Sequence, residues 1–292
     1  MTCSTIATYK LPPSLGLLTS DDVIHLERNR LLTPAESNTK TAKLLAELGF
    51  YGAVLHLAPA WNSGYQLCPM ASAGCASACL YTAGRAGFTP GINIARIRKT
   101  RFFIEQHDRF MAKLAREIRQ HVNRAAKAGL RPTLRLNATS DIAWERVPVT
   151  IDGVTYVNLM AAFPTVTFYD YTKVITRLRG NLPQNYSLTF SLAESNDAHA
   201  AEAIARGFNV AAVIRVRKTE AMPASFIGLP VLDGDKHDYR FLDPRGHVVG
   251  LRPKGQAIRD RSGFVRDIDA ELNADARPTF AAKPSLILER VA

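Results

Sequence analysis

Three of the four cysteines in this 292-residue chain fall in one short loop, Cys68-Pro-Met-Ala-Ser-Ala-Gly-Cys75-Ala-Ser-Ala-Cys79. The residues between them are Ala, Ser and Gly, too small to fill a core, and Pro69 fixes the direction of the chain. Such a loop can wrap closely around a compact inorganic object and aim backbone N–H groups at it. Three thiolates suit an iron–sulfur cluster, 4Fe–4S by ligand number, with one iron left without a protein cysteine. A fold for this chain must therefore leave room beside that loop.

Other uses of the thiols fit the spacing less well. Structural zinc takes four ligands, with thiolates commonly two to four residues apart, whereas the first gap here holds six residues. Cys3 or His56 could complete a zinc site only if the fold carried them there. Disulfide pairing within the triplet leaves an odd member, and a redox dithiol normally has two residues between its cysteines. Met1-Thr2-Cys3 opens no charged-then-apolar signal segment. A reducing, cytoplasmic compartment is the expectation.

A length of 292 residues allows one large α/β domain or two small ones, and 47% hydrophobic with 22% charged residues is ordinary for a globular protein. No apolar run approaches the ~20 residues that span a bilayer, so no membrane partner is expected. The net charge of +11 is concentrated. Residues 92–135 carry twelve Lys or Arg against Glu105, Asp108 and Glu117. At helical spacing Arg109, Lys113, Arg116, Gln120, Arg124 and Lys127 share one face, opposite Phe110, Leu114, Ile118, Val122 and Ala125. That ridge reads either as a nucleic-acid or nucleotide surface or as the solvated side of a scaffold helix.

Short runs rich in Val, Ile, Leu and Phe predict parallel strands at 53–57, 133–136, 166–169, 187–191, 210–216, 230–232 and 248–251. Between them the pattern predicts a helical region from Pro90 to Gly129, a short helix over 171–179 and one over 199–206 capped by Ser195-Asn-Asp197. A short helix over 39–48 precedes the first strand. Residues 149–156 read as a hairpin turning on Asp152-Gly153, an insertion outside the main sheet. The fold expected is α/β, a partial TIM-like barrel of mainly parallel strands with the three-cysteine loop after the first. An irregular or helical segment spans 1–45, the barrel-like domain 46–260, and a tail packing on it 261–292. Several strands end in polar groups, which in a parallel barrel converge on one face. These include Asn137, Ser140 and Asp141; Asp170, Tyr171 and Lys173; Glu194, Ser195 and Asn196; Arg217 and Lys218; Asp233 and Asp235; and Arg252 and Lys254. Ser195 and Asn196 also fit as helix caps.

Asn38-Thr-Lys40-Thr41, the cysteine loop, Arg135-Leu-Asn137…Ser140-Asp141-Ile-Ala-Trp144, Tyr169-Asp170-Tyr171-Thr172-Lys173, Gly234-Asp235…Asp238…Arg240…Asp243 and Gly250-Leu251-Arg252-Pro-Lys254-Gly255 resemble the bacteriophage "gene product 88" family. The resemblance covers most of the chain, roughly from Asn38 to Gly255. That family is distantly similar to radical S-adenosylmethionine proteins, in which a three-cysteine loop follows a strand and a later strand ends in an Asn…Ser-Asp pattern. Those enzymes space their cysteines three and two residues apart, whereas the gaps here are six and three, and no Gly-Gly-Glu segment is visible.

Two functions follow as expectations. In the first, an enzyme, Cys68, Cys75 and Cys79 hold the cluster and its open iron takes S-adenosylmethionine. Asn137, Ser140 and Asp141 then contact that cofactor, and Asp170, Tyr171 and Lys173 serve the reaction. Asp235, Arg240, Arg252 and Lys254 line the pocket of a nucleotide or nucleic-acid substrate. Tyr81 and Tyr171 are candidate hydrogen-atom relays, and an electron donor is implied. In the second, a cluster or zinc site is a folding staple or redox sensor, and the basic helix binds nucleic acid. Cys3 is outside both site assignments. Cys3→Ala is expected to keep the full iron content of anaerobically prepared protein, measured by iron and sulfide analysis.

Overall fold

Apolar runs of four to six residues pair side by side to make the frame. The computed structural model describes residues 18–34 and 47–268. Cys3 and most of the helix expected at 39–48 lie outside the described residues. In chain order the strands are β1 (Leu32–Pro34), β2 (Phe50–Leu55), β3 (Arg131–Arg135), β4 (Val149–Ile151), β5 (Val154–Tyr156), β6 (Thr167–Thr172), β7 (Tyr186–Ser191), β8 (Val210–Ile214), β9 (Ser225–Phe226), β10 (Leu229–Asp233), β11 (Val248–Leu251) and β12 (Val265–Arg266). The helices are α1 (Ser20–Arg28), α2 (Ala73–Ser77), α3 (Pro90–Glu105), α4 (His107–Lys127), α5 (Leu159–Ala162) and α6 (Asp197–Ala205).

The architecture is mixed α/β. One ten-stranded sheet runs β1-β2-β3-β6-β7-β8-β11-β10-β9, with β12 attached to β8. From β2 to β10 all neighbouring pairs are parallel, and antiparallel β1 and β9 flank them. All seven strand runs expected from sequence are present, each within three residues of its expected ends. Strand order follows chain order until β8, after which β11 inserts between β8 and β10. The hairpin at β4 and β5 forms a separate small sheet, turning through Asp152 and Gly153, both at positive φ. Positive φ at both central residues is what a tight two-residue hairpin requires.

The upper half of β8 has two different neighbours on one side. β7 pairs with Val210 and Ala211, and β12 takes over at Val213 and Ile214. Val213 also pairs with Leu251 on the other side, so β12 occupies the place that β7 vacates. The sheet thus splays between β7 and β8 at its C-terminal edge. It also curls. Tyr239, shortly after β10, packs on Phe50 of β2 (ring centroids 5.1 Å) and on Tyr169 of β6 (5.8 Å).

Three expectations are corrected here. The helical region from Pro90 to Gly129 is two helices, broken at Gln106 (φ −135°, ψ 50°). The break lets Phe102 and Phe103 meet Phe110 across it, at 5.7 and 5.2 Å, and frees the Glu105 carboxylate for the Leu18 N–H and the Tyr65 hydroxyl. The helix over 171–179 is absent: Tyr171 and Thr172 continue β6, and a single 3-10 turn covers Ile175–Arg177. β-branched and aromatic residues there gain more from pairing with β7 than from a lone helical turn. The cap of α6 also differs. Asn196 occupies the cap position, but its side chain accepts from the Ala193 N–H (2.7 Å) and donates to the Ser191 carbonyl (3.0 Å).

The basic ridge is narrower than its periodicity implies. α4 buries Phe110, Leu114, Ile118 and Ala125 as expected, but Lys113 is buried too. Its ammonium pairs with Glu117 (2.9 Å) and donates to the Glu27 carbonyl of α1 (2.9 Å). Glu117 in turn accepts from the Leu31 N–H (2.9 and 3.0 Å) and the Leu32 N–H (2.9 Å), tying β1 to α4. Removing the carboxylate strands a buried ammonium and two backbone donors. Glu117→Ala is expected to lower unfolding free energy by roughly 3–5 kcal/mol in denaturant titrations, and a loss within 1 kcal/mol would refute this account of the β1 anchor.

Candidate cysteine-lined site

The cysteine loop leaves β2 at the C-terminal edge of the sheet, and local hydrogen bonds fix its course. The Ala58 N–H donates to Thr100 Oγ1 (2.8 Å), the Thr139 hydroxyl donates to the Leu57 carbonyl, and the Asp141 N–H donates to the Leu67 carbonyl (2.8 Å). The Cys68 N–H donates to Gln66 Oε1 (2.9 Å) and its Sγ contacts the Thr139 carbonyl at 3.8 Å. Ser72 caps α2 by accepting from the Cys75 N–H (3.2 Å), which places Cys75 on the first turn. Cys79 follows α2 directly. Among the described residues none of the three is in a disulfide.

The three thiols share one cavity of about 580 Å³ with the ends of β3, β6, β7, β8 and β11 and the loop after β10. Of the residues singled out from sequence, Asn137, Ser140, Asp141, Tyr171, Lys173, Asp235, Arg252 and Lys254 line it with the cysteines. Asp170 and Arg240 stand outside the lining. Alternation along β6 turns Tyr169 and Tyr171 to the cavity and Asp170 to the other face. Arg240 is buried behind the loop, donating to the His237 carbonyl and pairing with Asp243 at 3.2 Å. Tyr81 lies apart as well, under the Arg96 guanidinium (5.5 Å to the ring centroid).

Burial dominates the electrostatics of the thiols. It pushes the Cys68 thiol up to about 12, with the neighbouring Asp141, Cys79 and Cys75 adding to the effect. Burial raises Cys79 too, opposed by a Tyr81 backbone hydrogen bond and by the charges of Lys173 and Arg96. The Lys173 ammonium donates to Ser191 Oγ (2.8 Å) and sits over the Phe264 ring (5.5 Å). A cation is thus built into the cysteine end of the cavity. His56 is half-buried, and desolvation, with Arg96, Arg135 and Lys99 nearby, pushes its imidazole down to about 3. It is outside the cavity lining.

The expected cofactor contacts form a bonded network among themselves. Asn137 Oδ1 accepts from Ser140 Oγ (2.9 Å), the Ile142 N–H (3.0 Å) and Trp144 Nε1 (3.1 Å), while Nδ2 donates to the Ile142 carbonyl (2.9 Å). One Asp141 oxygen accepts from the Lys173 N–H (2.8 Å) and the other from Arg177 (2.8 Å). Asp170 accepts from the Asn137 N–H (2.6 Å) and the Tyr186 hydroxyl (2.8 Å) beneath them. At the opposite rim, Asp235 accepts from Lys254 (2.6 Å) and pairs with Arg252 (3.3 Å), which also holds Asp233 (2.9 Å). Burial pushes the Asp235 carboxyl up, but the Lys254 and Arg252 contacts outweigh it and leave it below its ordinary value.

Sequence reasoning missed several lining residues. Tyr239, Phe264, Lys236 and His237 reach the cavity from loops with no periodicity to read. Gly234 is the available signal: a Cβ there would lie 2.6 Å from Val249 and 2.8 Å from Leu251, so only glycine lets this loop fold back over β11.

Among the described residues, no group of three or more His, Cys, Asp or Glu is placed to hold a metal ion, and no helix is long and apolar enough to cross a membrane. Residues 25–268 match the family described as Gene product 88. The chain belongs to this family. No curated protein and no solved structure matches the chain. Membership in the gene product 88 family supports a bacteriophage origin.

Asp170 generates a pH test of this network. Burial pushes its carboxyl up to about 7, against the hydrogen bonds from Asn137 and Tyr186 and the charges of Arg135 and Arg177. A raised carboxyl favours the folded state while protonated in it, so its contribution is full below about pH 4 and declines as pH rises towards 7. Denaturant titrations across that window should show the Asp170→Asn variant losing less stability with rising pH than the parent. Parallel pH profiles would count against a protonated Asp170.

Proposed function

We propose that Cys68, Cys75 and Cys79 hold one 4Fe–4S cluster at the mouth of a partial TIM-like barrel, and that the protein is an enzyme of radical S-adenosylmethionine type. The observation that carries this reading is the shared cavity, where three thiols meet polar strand ends at the C-terminal edge of a parallel sheet. The donor set fits such a group. Ligands of a single zinc must meet on one ion, whereas a four-iron cluster spreads its thiolates over separate irons. When bound, the cluster would supply one-electron reduction of S-adenosylmethionine.

The chain's own residues have the following parts in this reading. Lys173 offsets thiolate charge next to Cys79. Tyr169, Tyr171 and Phe264 exclude water from the cavity wall. Asn137, Ser140 and Asp141 act through the loop backbone they order, because their side chains already bond one another, Arg177 and the β6 end. Asp235, Arg252 and Lys254 orient the substrate at the rim, with Asp170 and Arg240 supporting from behind. The net charge of +11 is the ground for a nucleotide, or one extruded nucleotide of a strand, as the substrate class. The reaction takes place in the host cytoplasm with an electron donor.

The bonded state of Asn137, Ser140 and Asp141 specifically favours a second reading, a non-catalytic cluster serving as redox sensor. In it the residues of the α4 ridge that stay outside the core, Arg109, Arg116, Arg124 and Lys127, bind nucleic acid, Lys113 being buried. One experiment separates the two: anaerobic reconstitution, iron and sulfide analysis, and electron paramagnetic resonance with and without S-adenosylmethionine. The enzyme reading expects about four irons, a spectrum perturbed by S-adenosylmethionine, and loss of iron in each of Cys68→Ala, Cys75→Ala and Cys79→Ala. A loaded protein whose spectrum ignores S-adenosylmethionine selects the sensor, and stoichiometric zinc without sulfide rejects both cluster readings.

A further inference from the structure

Glu194 reaches the cysteine loop from the splayed edge of the sheet, and the cluster site proposed above assigns it no part. One of its oxygens accepts from the Ser72 hydroxyl (2.6 Å) and the other from the Gly74 N–H (2.7 Å). Ser72 Oγ in turn accepts from the Cys75 N–H (3.2 Å). The carboxylate therefore grips the turn that begins α2, and through one hydroxyl it orients the backbone of the middle cysteine. Charge-assisted bonds of this kind are the stronger class of hydrogen bond.

The backbone that presents Glu194 is itself fixed. The Leu192 N–H donates to the Ala211 carbonyl of β8 (2.8 Å), and the Ala193 N–H donates to Asn196 Oδ1 (2.7 Å). The Ala193 carbonyl accepts from Arg266 of β12, whose guanidinium also pairs with Asp197 (3.0 Å). The opposite side is closed by the turn before β12. Ser262 Oγ donates to Asp260 (2.7 Å), and a Cβ on Gly74 would overlap that Oγ and stand 2.8 Å from Glu194 Oε1. Gly74 is thus held between Glu194 and Ser262 with no space for a side chain. Cys75 packs against the small cluster of Ala78, Ala193, Ala257, Phe264 and Val265 beside it.

We infer that Glu194 is the positioning residue of the cysteine site, fixing the Cys75 thiol relative to Cys68 and Cys79 by holding Ser72 and Gly74. The inference rests on the cluster reading for its functional meaning, but the positioning itself can be read in metal-free protein. Glu194→Gln keeps the size and removes the charge. Glu194→Ala removes the grip, and Ser72→Ala cuts only the link to Cys75.

The test uses the full chain. In metal-free, reduced protein, alkylation of each cysteine by iodoacetamide is followed by mass spectrometry. Glu194→Ala and Ser72→Ala are expected to speed alkylation of Cys75 about tenfold or more relative to Cys68 and Cys79, the scale set by losing a charged hydrogen bond. Unchanged ratios in both variants overturn the inference, whatever the iron content. In reconstituted protein, Glu194→Gln is expected to retain iron while its cluster spectrum changes and its midpoint potential shifts upward, since a negative charge near the cluster is removed. If Glu194→Ala does not fold, Glu194→Gln and Ser72→Ala decide. A parental protein that binds no iron, together with the Cys75-selective change in the variants, would refute the cluster and uphold the positioning. Full iron loading with parental spectra, potentials and alkylation ratios in every variant would do the reverse.

Discussion

One buried guanidinium holds together the wall against which the cysteine loop lies. Arg177 is fully buried and binds Asp141 (2.8 Å), both oxygens of Glu145 (3.0 and 2.9 Å) and the Tyr186 hydroxyl (2.8 Å). Burial alone disfavours its charge, yet Tyr186, Asp141 and Glu145 outweigh it and its pKa is raised. From Tyr186 the chain of bonds passes to Asp170 and on to the Asn137 backbone and side chain. Breaking such a buried pair by removing one partner costs roughly 3–5 kcal/mol, because the remaining charge is stranded. The course of residues 137–146 follows from this network, and Cys68 meets that segment at the Thr139 carbonyl.

A second constraint is topological. Parallel strands place their loops on one edge, and binding sites form where neighbouring strands diverge. Here β7 leaves β8 after Ala211 and β12 fills the place beside Val213 and Ile214. The divergence admits the small-residue turn of α2, with Glu194 on one side and Ser262 on the other. A side chain at Gly74 would not fit between these flanks and Ala78 is buried, so at these two positions small size has a packing reason as well as a chemical one. The curl of the sheet, seen in Tyr239 against Phe50 and Tyr169, closes the far side of the same cavity.

Charge on this protein is distributed less simply than its total implies. Along α4 the periodicity of basic residues is genuine, but Lys113 is consumed by Glu117 and the Glu27 carbonyl, and Arg109 pairs with Glu27 (2.9 Å). At the cavity rim Asp233 and Asp235 balance Arg252 and Lys254. A basic sequence run is therefore not equivalent to a basic surface, because α1 supplies partners that lie some 80 residues away in the chain.

The seven parallel strands, the hairpin at Asp152-Gly153 and the gathering of strand-end polar residues with the cysteines were legible in the amino-acid order. Apolar runs must pair, and parallel pairing sends their C-terminal ends to one edge. Family membership was likewise legible, from motifs such as Cys68-Pro and Arg135-Leu-Asn137. The tertiary structure alone decided which polar groups remain available. Asn137, Ser140 and Asp141 read as three ligand contacts in one dimension, but in three they saturate each other and Arg177. Asp170 was indistinguishable from a site carboxylate until the pleat of β6 turned it away from the cavity and Tyr186 met it. The exchange of β11 and β10, the β12 insertion and the grip of Glu194 on Gly74 depend on contacts between distant segments. Local propensity carries no record of such contacts, because each is set by which surfaces the packed sheet brings within reach.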